Sequence, residues 1–138
     1  MIGNYKILNN QVYKLGSFSL VPIRFDDRAD IMDWRNEQIY HLRQTEPLTT
    51  NDQENYFDNI VTSLFKKLKP DQMLFSLLEN DKCIGYGGLV HINWTDLNSE
   101  ISFIMNTSLE KSRFHEIWTV YLNLIEKAIL KAGICFLM

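Results

Sequence analysis

The chain has 138 residues, which suits one domain spanning 1–138. Apolar residues make up 46% and charged residues 22%, proportions that exclude a disordered tail, a collagen-like fibre or a low-complexity linker. The 14 basic and 17 acidic residues leave a formal charge of −3, which argues against a nucleic-acid backbone as partner.

From the N-terminus, Tyr5-Lys6-Ile7-Leu8, Asn9-Asn10 and Gln11 to Leu15 read as a hairpin with an Asn-Asn turn. Phe18 to Phe25 is rich in strand formers, and Pro22 confines it to an edge or a bulge because it has no N–H to donate. Asp26-Asp27 then opens a helix, with Ile31, Trp34, Gln38 and Leu42 on one face. After a loop over Gln44 to Thr49, Thr50-Asn51-Asp52-Gln53 reads as a capping box. The helix it starts carries Phe57, Ile60, Val61, Leu64, Phe65 and Leu68 on one stripe, has lysines at its end, and stops at Pro70.

Three strands come next. Gln72 to Leu78 and Lys82 to Ile92 flank an Asn80-Asp81 turn, and Ser99 to Met105 comes after a Trp94 to Asn98 loop. On the third strand Ile101, Phe103 and Met105 face one way; Glu100, Ser102 and Ile104 face the other. A long helix runs from about Thr107, where Thr107-Ser108-Leu109-Glu110 is a second capping-box candidate, to Ala132, with Gly133 as its C-terminal stop. Its apolar stripe reads Phe114, Trp118, Tyr121, Leu122, Ile125 and Ile129. Ile134 to Met138 is a final strand. The order β, α, α, β, β, β, α, β predicts an α+β domain with a mixed, mainly antiparallel sheet flanked by helices. Its last β-α-β crossover makes two strands parallel.

Few motifs carry chemistry outright. The two cysteines, Cys83 and Cys135, make no disulfide framework, and the three histidines lack metal-ligand spacing, so no metal is expected. No secretory leader or membrane span is legible, and a cytoplasmic protein is expected. The cluster Ile84-Gly85-Tyr86-Gly87-Gly88-Leu89 marks close approach to a strand, either by packed protein or by a ligand. Glu100, a carboxylate among apolar strand residues, is either a general base or a structural acceptor. Trp34-Arg35-Asn36-Glu37 is either a group suited to a sugar or nucleotide, or a core Trp beside solvated polar residues.

Three local patterns resemble the GNAT superfamily of acyl-CoA-dependent N-acetyltransferases. The first is the Asp33-Trp34-Arg35-Asn36-Glu37 helix after a strand ending Pro22-Ile23-Arg24. The second is the strand pair Leu74-Phe75-Ser76-Leu77 and Cys83-Ile84-Gly85-Tyr86-Gly87-Gly88-Leu89. The third is Ser99-Glu100-Ile101-Ser102-Phe103-Ile104-Met105 leading into a long helix. The likeness covers roughly Phe18 to Ala132. It is greatest to the branch acetylating protein N-termini and nucleotide-linked aminosugars.

The resemblance implies acetyl-CoA as co-substrate. Phe103, Ile104 and Met105 would line its pantetheine arm, and Lys111, Ser112 and Arg113 would meet its pyrophosphate at the helix start. It implies Glu100 as the base, with His91 as a second candidate, and Trp34, Arg35, Asn36 and Tyr40 as the acceptor-binding group. The acceptor would be a small-molecule amine or a peptide N-terminus. Where the family has a glycine-rich phosphate loop, this chain reads Leu109-Glu110-Lys111-Ser112-Arg113-Phe114-His115-Glu116. The sequence stops before the family's further strands, so the final strands of the usual fold are expected to be missing. The rival reading is a non-catalytic GNAT-like module that binds or dimerises. The apolar end, with Trp118 and Tyr121 expected on an uncovered face, points to a homodimer.

Overall fold

A computed structural model describes residues 3–39, 42, 44–132 and 135–137. Six strands lie side by side in chain order: β1 (Tyr13–Leu15), β2 (Phe18–Pro22), β3 (Met73–Glu79), β4 (Lys82–Asn93), β5 (Asn98–Met105) and β6 (Cys135–Leu137). Neighbours are antiparallel through β5, and β6 joins β5 in parallel. The helices are α1 (Arg28–Glu37), α2 (Thr50–Asn55), α3 (Thr62–Lys66) and α4 (Thr107–Ala132). The α+β class and the parallel crossover are as the sequence predicts.

The first hairpin differs. Tyr5–Leu8 is not a strand, and β1 and β2 close on Gly16-Ser17, with Gly16 at φ +62°. Tyr5 is drawn inward instead. Its ring packs on Phe65 and Phe75. Its hydroxyl donates to the Leu74 carbonyl at 2.7 Å and accepts from the Leu74 N–H at 2.6 Å. The Gln11 side chain braces the segment by accepting from the Tyr5 N–H and donating to the Tyr5 and Leu8 carbonyls. Pro22 lies past the last β1 pair, Tyr13 with Leu20, where β2 is an edge strand as expected. Leu74 lies one residue beyond Phe75, the partner of Pro22, so the Tyr5 hydroxyl satisfies backbone groups there.

The helix starts also shift. Asp26 and Asp27 lie in a 3₁₀ turn, but Asp27 caps nothing; it is buried and accepts from Arg24 Nε and Nη2 at 2.8 Å each. The capping box pairs Thr49 with Asp52, one residue earlier than Thr50 with Gln53, because the Gln53 amide donates to the Arg28 carbonyl. The expected single helix is broken by a π-helical stretch, Tyr56–Val61, which rotates α3 relative to α2. Phe57, Val61 and Leu64 stay buried, while Ile60 and Leu68 are left 44% and 72% exposed.

Asn80 and Asp81 turn the β3–β4 hairpin, both at positive φ as a two-residue turn requires. The glycines of β4 answer to protein neighbours. A Cβ on Gly88, at φ +152°, would strike the Met73 carbonyl, and one on Gly85 would lie 2.6 Å from the Phe103 ring. The close approach is therefore by adjacent strands.

α4 is kinked at Arg113 (φ −132°, ψ 21°), where two helical segments join. Asn106, not Thr107, caps it: Asn106 Oδ1 accepts from the Ser108 N–H and hydroxyl at 2.9 and 2.8 Å. The buried stripe is Ile117, Tyr121, Leu124, Ile125, Ala128 and Ile129, with Leu122 at its margin and Phe114 exposed. Tyr121, expected on an uncovered face, is fully buried: its ring stacks on Phe103 at 4.0 Å and its hydroxyl donates to the Ser102 carbonyl at 2.7 Å. The Gly133 stop and the strand ends Ile134 and Met138 lie outside the described residues.

Tyr5→Phe takes the acceptor from the buried Leu74 N–H, while the Leu74 carbonyl keeps the Ile23 N–H. It should cost about 1–3 kcal/mol in urea denaturation. An unchanged midpoint would show that the hydroxyl is dispensable.

Candidate active site

The two ends of β5 carry different chemistry. At its start, Asn98, Ser99 and Glu100 pair with Cys135, Phe136 and Leu137 of β6. From Glu100 the strand runs on through Ile101–Met105 to the start of α4. Phe103 turns its ring onto Tyr121 and Trp118, while Ile104 pairs across β4 with Tyr86.

Beside the start of β5, the β4–β5 ladder is irregular between Val90 and Asn93, and His91 adopts φ +52°. His91 Nε2 comes within 3.8 Å of Glu100 Oε2, and the two side chains are 67% and 55% exposed. The two residues named as base candidates from sequence are thereby brought together.

At the other end the junction is dense with internal hydrogen bonds. The buried Gln38 amide donates to the Met105 carbonyl at 2.8 Å and to Thr107 Oγ1 at 3.1 Å, and Thr107 Oγ1 donates to Glu37 Oε1 at 2.7 Å. The Asn106 N–H donates to the Ile84 carbonyl, and the Leu109 N–H to the Asn106 carbonyl. A cleft beside this junction is lined by Asp33, Trp34, Glu37, Thr107, Ser108 and Lys111. Lys111 and Ser112 are exposed. Arg113 is engaged: Nη1 and Nη2 donate to the two Glu79 carboxylate oxygens at 2.7 Å each, and Nε to Glu116 Oε1 at 2.6 Å. These bonds hold the Glu79 and Glu116 carboxyls below, and the guanidinium above, their ordinary ranges.

Of the expected acceptor group, Trp34 is buried and Tyr40 lies outside the described residues. Arg35 and Asn36 form a second cluster. Arg35 Nη1 donates to the Tyr86 hydroxyl at 2.7 Å and Nε to Gln44 Oε1 at 3.1 Å. Asn36 fixes the loop before α2 by accepting from the Leu48 N–H and donating to its carbonyl. Ile23, Arg35, Tyr56, Phe57 and Tyr86 help line a cavity of about 240 Å³ here. Burial pushes the Tyr56 and Tyr86 phenols up, so both remain protonated donors. Sequence reasoning missed Tyr56, Tyr86, Gln38 and Glu79. Only Tyr86 carried a signal, being the one large side chain among the three glycines of its strand. Cys83 is buried and its thiol is pushed up to about 12, chiefly by desolvation, so it is no nucleophile.

A family model described as an acetyltransferase (GNAT) domain matches residues 20–137. No curated protein matches the sequence. Several solved structures share the fold. The ribosomal-protein-S5-alanine acetyltransferase from Vibrio fischeri superposes with TM-score 0.57 at 13% identity, over 86% of this chain and 69% of that one. The spermidine N-acetyltransferase from Vibrio cholerae, solved with CoA and spermine, gives 0.60 at 17% identity, over 79% and 63%. A GNAT-family protein from Chromobacterium violaceum gives 0.62 at 17% identity, over 98% and 72%. The chain thus spans about two thirds of the length of these structures.

The Glu79–Arg113 pair sets an acid-side expectation. A carboxyl depressed in the folded state adds stability that is present above its unfolded value, near ~4.3, and is lost as pH falls through the folded value. Arg113→Gln should therefore flatten the loss of urea stability between about pH 5 and pH 2. An acid limb as steep as the parent's would show that the pair contributes nothing.

Proposed function

Because the chain belongs to the GNAT acetyltransferase family, we propose that it transfers an acetyl group from acetyl-CoA to a primary amine. The observation that carries this is the Ile101–Met105 edge of β5, which runs into the start of α4 beside the cleft lined by Trp34, Thr107, Ser108 and Lys111. In this reading the pantetheine arm lies along Phe103, Ile104 and Met105, a backbone N–H of that edge polarises the thioester oxygen, and Lys111, Ser112 and Arg113 meet the phosphates. Glu100 and His91 are the groups that serve the removal of the amine proton.

The acceptor reading rests on the Arg35 cavity. A guanidinium beside two protonated phenols and apolar ring walls suits a polar ring with an anionic attachment, and hence a nucleotide-linked aminosugar. A protein N-terminus is the other member of the amine class. A second reading, a GNAT-like module without catalysis, is favoured by the glycine-free junction, where the Asn106, Ser108 and Leu109 N–H groups already have internal acceptors.

Calorimetric titration with acetyl-CoA separates the two readings: the acetyltransferase binds it, the module does not. Arg113→Ala and Lys111→Ala should each weaken binding several-fold, while Lys66→Ala on α3 should not; equal effects would displace the proposed phosphate site. Release of CoA thiol with spermidine, a peptide with N-terminal alanine and a UDP-linked aminosugar then reads the acceptor. Glu100→Gln should lower turnover at neutral pH and leave acetyl-CoA affinity intact.

We also propose a homodimer, built on the edge that β6 presents at the end of the sheet. Light scattering at micromolar concentration should give twice the chain mass of 16.3 kDa; a clean monomer would overturn it.

A further inference from the structure

We propose that His91 and Glu100 act as one proton-accepting pair, in which the His91 imidazole takes the proton of the acceptor amine and the Glu100 carboxylate holds the resulting imidazolium. This rests on the acetyl-transfer reading and assigns the base within it.

The argument begins with strand alternation. Glu100 is paired across the ladder with Val90, so the two share a face of the sheet. In an unbroken strand His91 would point to the opposite face. It does not, because register is lost between Val90 and Asn93 and His91 turns through φ +52°. That irregularity re-aims the imidazole to within 3.8 Å of Glu100 Oε2. Bulges that redirect one side chain are over-represented beside active sites.

Packing does not account for the strain. Both side chains are more than half exposed, and an exposed ion pair adds little stability, less than a non-glycine residue at positive φ costs. The turn after β4 is stable by its own bonds: Asn93 Oδ1 accepts from the Thr95 and Asp96 N–H groups, and Trp94 Nε1 donates to the Pro70 carbonyl. Nothing in that set needs the His91 side chain. Its position serves chemistry better. Glu100 shares a face of β5 with Ile104, one of the residues proposed to line the pantetheine arm.

An imidazole also suits the task. It changes charge near neutrality, so at working pH it both accepts and releases a proton, which a solvated carboxylate does poorly. In the step itself, the amine nitrogen forms a bond to the thioester carbonyl carbon, and its surplus proton passes to His91 Nε2. The C–S bond breaks with its electron pair on sulfur, the CoA thiolate takes a proton from water, and His91 returns its own to solvent. The charged group facing the imidazole is Glu100 on β5; Asp96 lies in the β4–β5 turn, bonded to Asn93, and the Asp71 carboxylate pairs with Lys67.

The test uses the full chain with His91→Asn, which tolerates positive φ, with Glu100→Gln, and with the double variant. Activity is followed by CoA thiol release with spermidine, the alanine peptide and the UDP-linked aminosugar. His91→Asn should lower kcat about 100-fold or more with little change in the KM for acetyl-CoA. Glu100→Gln should lower it about 10-fold, again with little change in the KM for acetyl-CoA. The double variant should be no worse than His91→Asn alone. A His91→Asn enzyme within a factor of about two of the parent, against the 10²-fold or more expected of a base, would overturn the proposal, as would multiplicative losses in the double variant. If no amine is acetylated by the parent protein, the acetyl-transfer reading fails. The pair is overturned separately, by a parent that acetylates an amine and a His91→Asn variant that acetylates it equally well.

Discussion

The placement of α1 against the end of β5 depends on one buried carboxamide. Gln38 comes directly after α1, its N–H still bonded to the Trp34 carbonyl, and its side-chain nitrogen donates to Met105 and Thr107. A buried amide without partners is expensive, and these partners exist only where β5 turns into α4. The end of α1 is therefore held at that junction. Helical geometry then places the other polar groups of α1: Arg35, one turn back, reaches the Tyr86 hydroxyl, and Asn36 reaches the Leu48 backbone. The cavity behind Arg35 and the cleft beside Thr107 are two consequences of the same tie.

The second constraint is the thinness of β4. Three glycines leave that strand without side-chain bulk along its middle, and β5 closes onto it. Phe103 fills the space over Gly85, and Tyr121 then stacks on Phe103 and donates to Ser102. The long helix is thus seated on β5 by a ring that glycine makes room for. Farther toward its start the helix bends at Arg113, and that residue's guanidinium is clamped to Glu79 at the end of β3. The kink joins the first part of α4, anchored at the β5 junction, to the part seated on the sheet.

Periodicity made the element order, the Asn80-Asp81 turn and the parallel crossover legible in the sequence, because each is a local pattern. The failures were tertiary. The Asn9-Asn10 turn lost to the burial of Tyr5, whose partner Leu74 lies 69 residues away. The helix after Thr49 kept its existence but not its register, since a π-helical turn leaves no mark in a hydrophobic stripe. In the candidate site, Glu100 and His91 were each visible as chemistry-bearing strand residues. Their proximity was not, because a regular strand would have put them on opposite faces. Arg113 could be seen as a cation near a helix start, but its two carboxylate partners come from β3 and from the next helical turn.

The two ends of β5 also differ in how far their polar groups are satisfied. At Met105 the polar groups have partners: Gln38, Ile84 and Asn106 take up the carbonyl and N–H groups that a phosphate loop would present. An anion seated there must compete with these bonds. Its hold on the junction then falls to side-chain cations, with Lys111 exposed at the cleft and Arg113 already balanced by Glu79 and Glu116. At Glu100 the reverse holds, with two ionisable side chains in water beside an irregular backbone. Under the proposed acetyl transfer, cofactor affinity would be set where the structure is most satisfied, and proton transfer where it is least satisfied. Changes at the first end should alter binding before rate, and changes at the second end rate before binding.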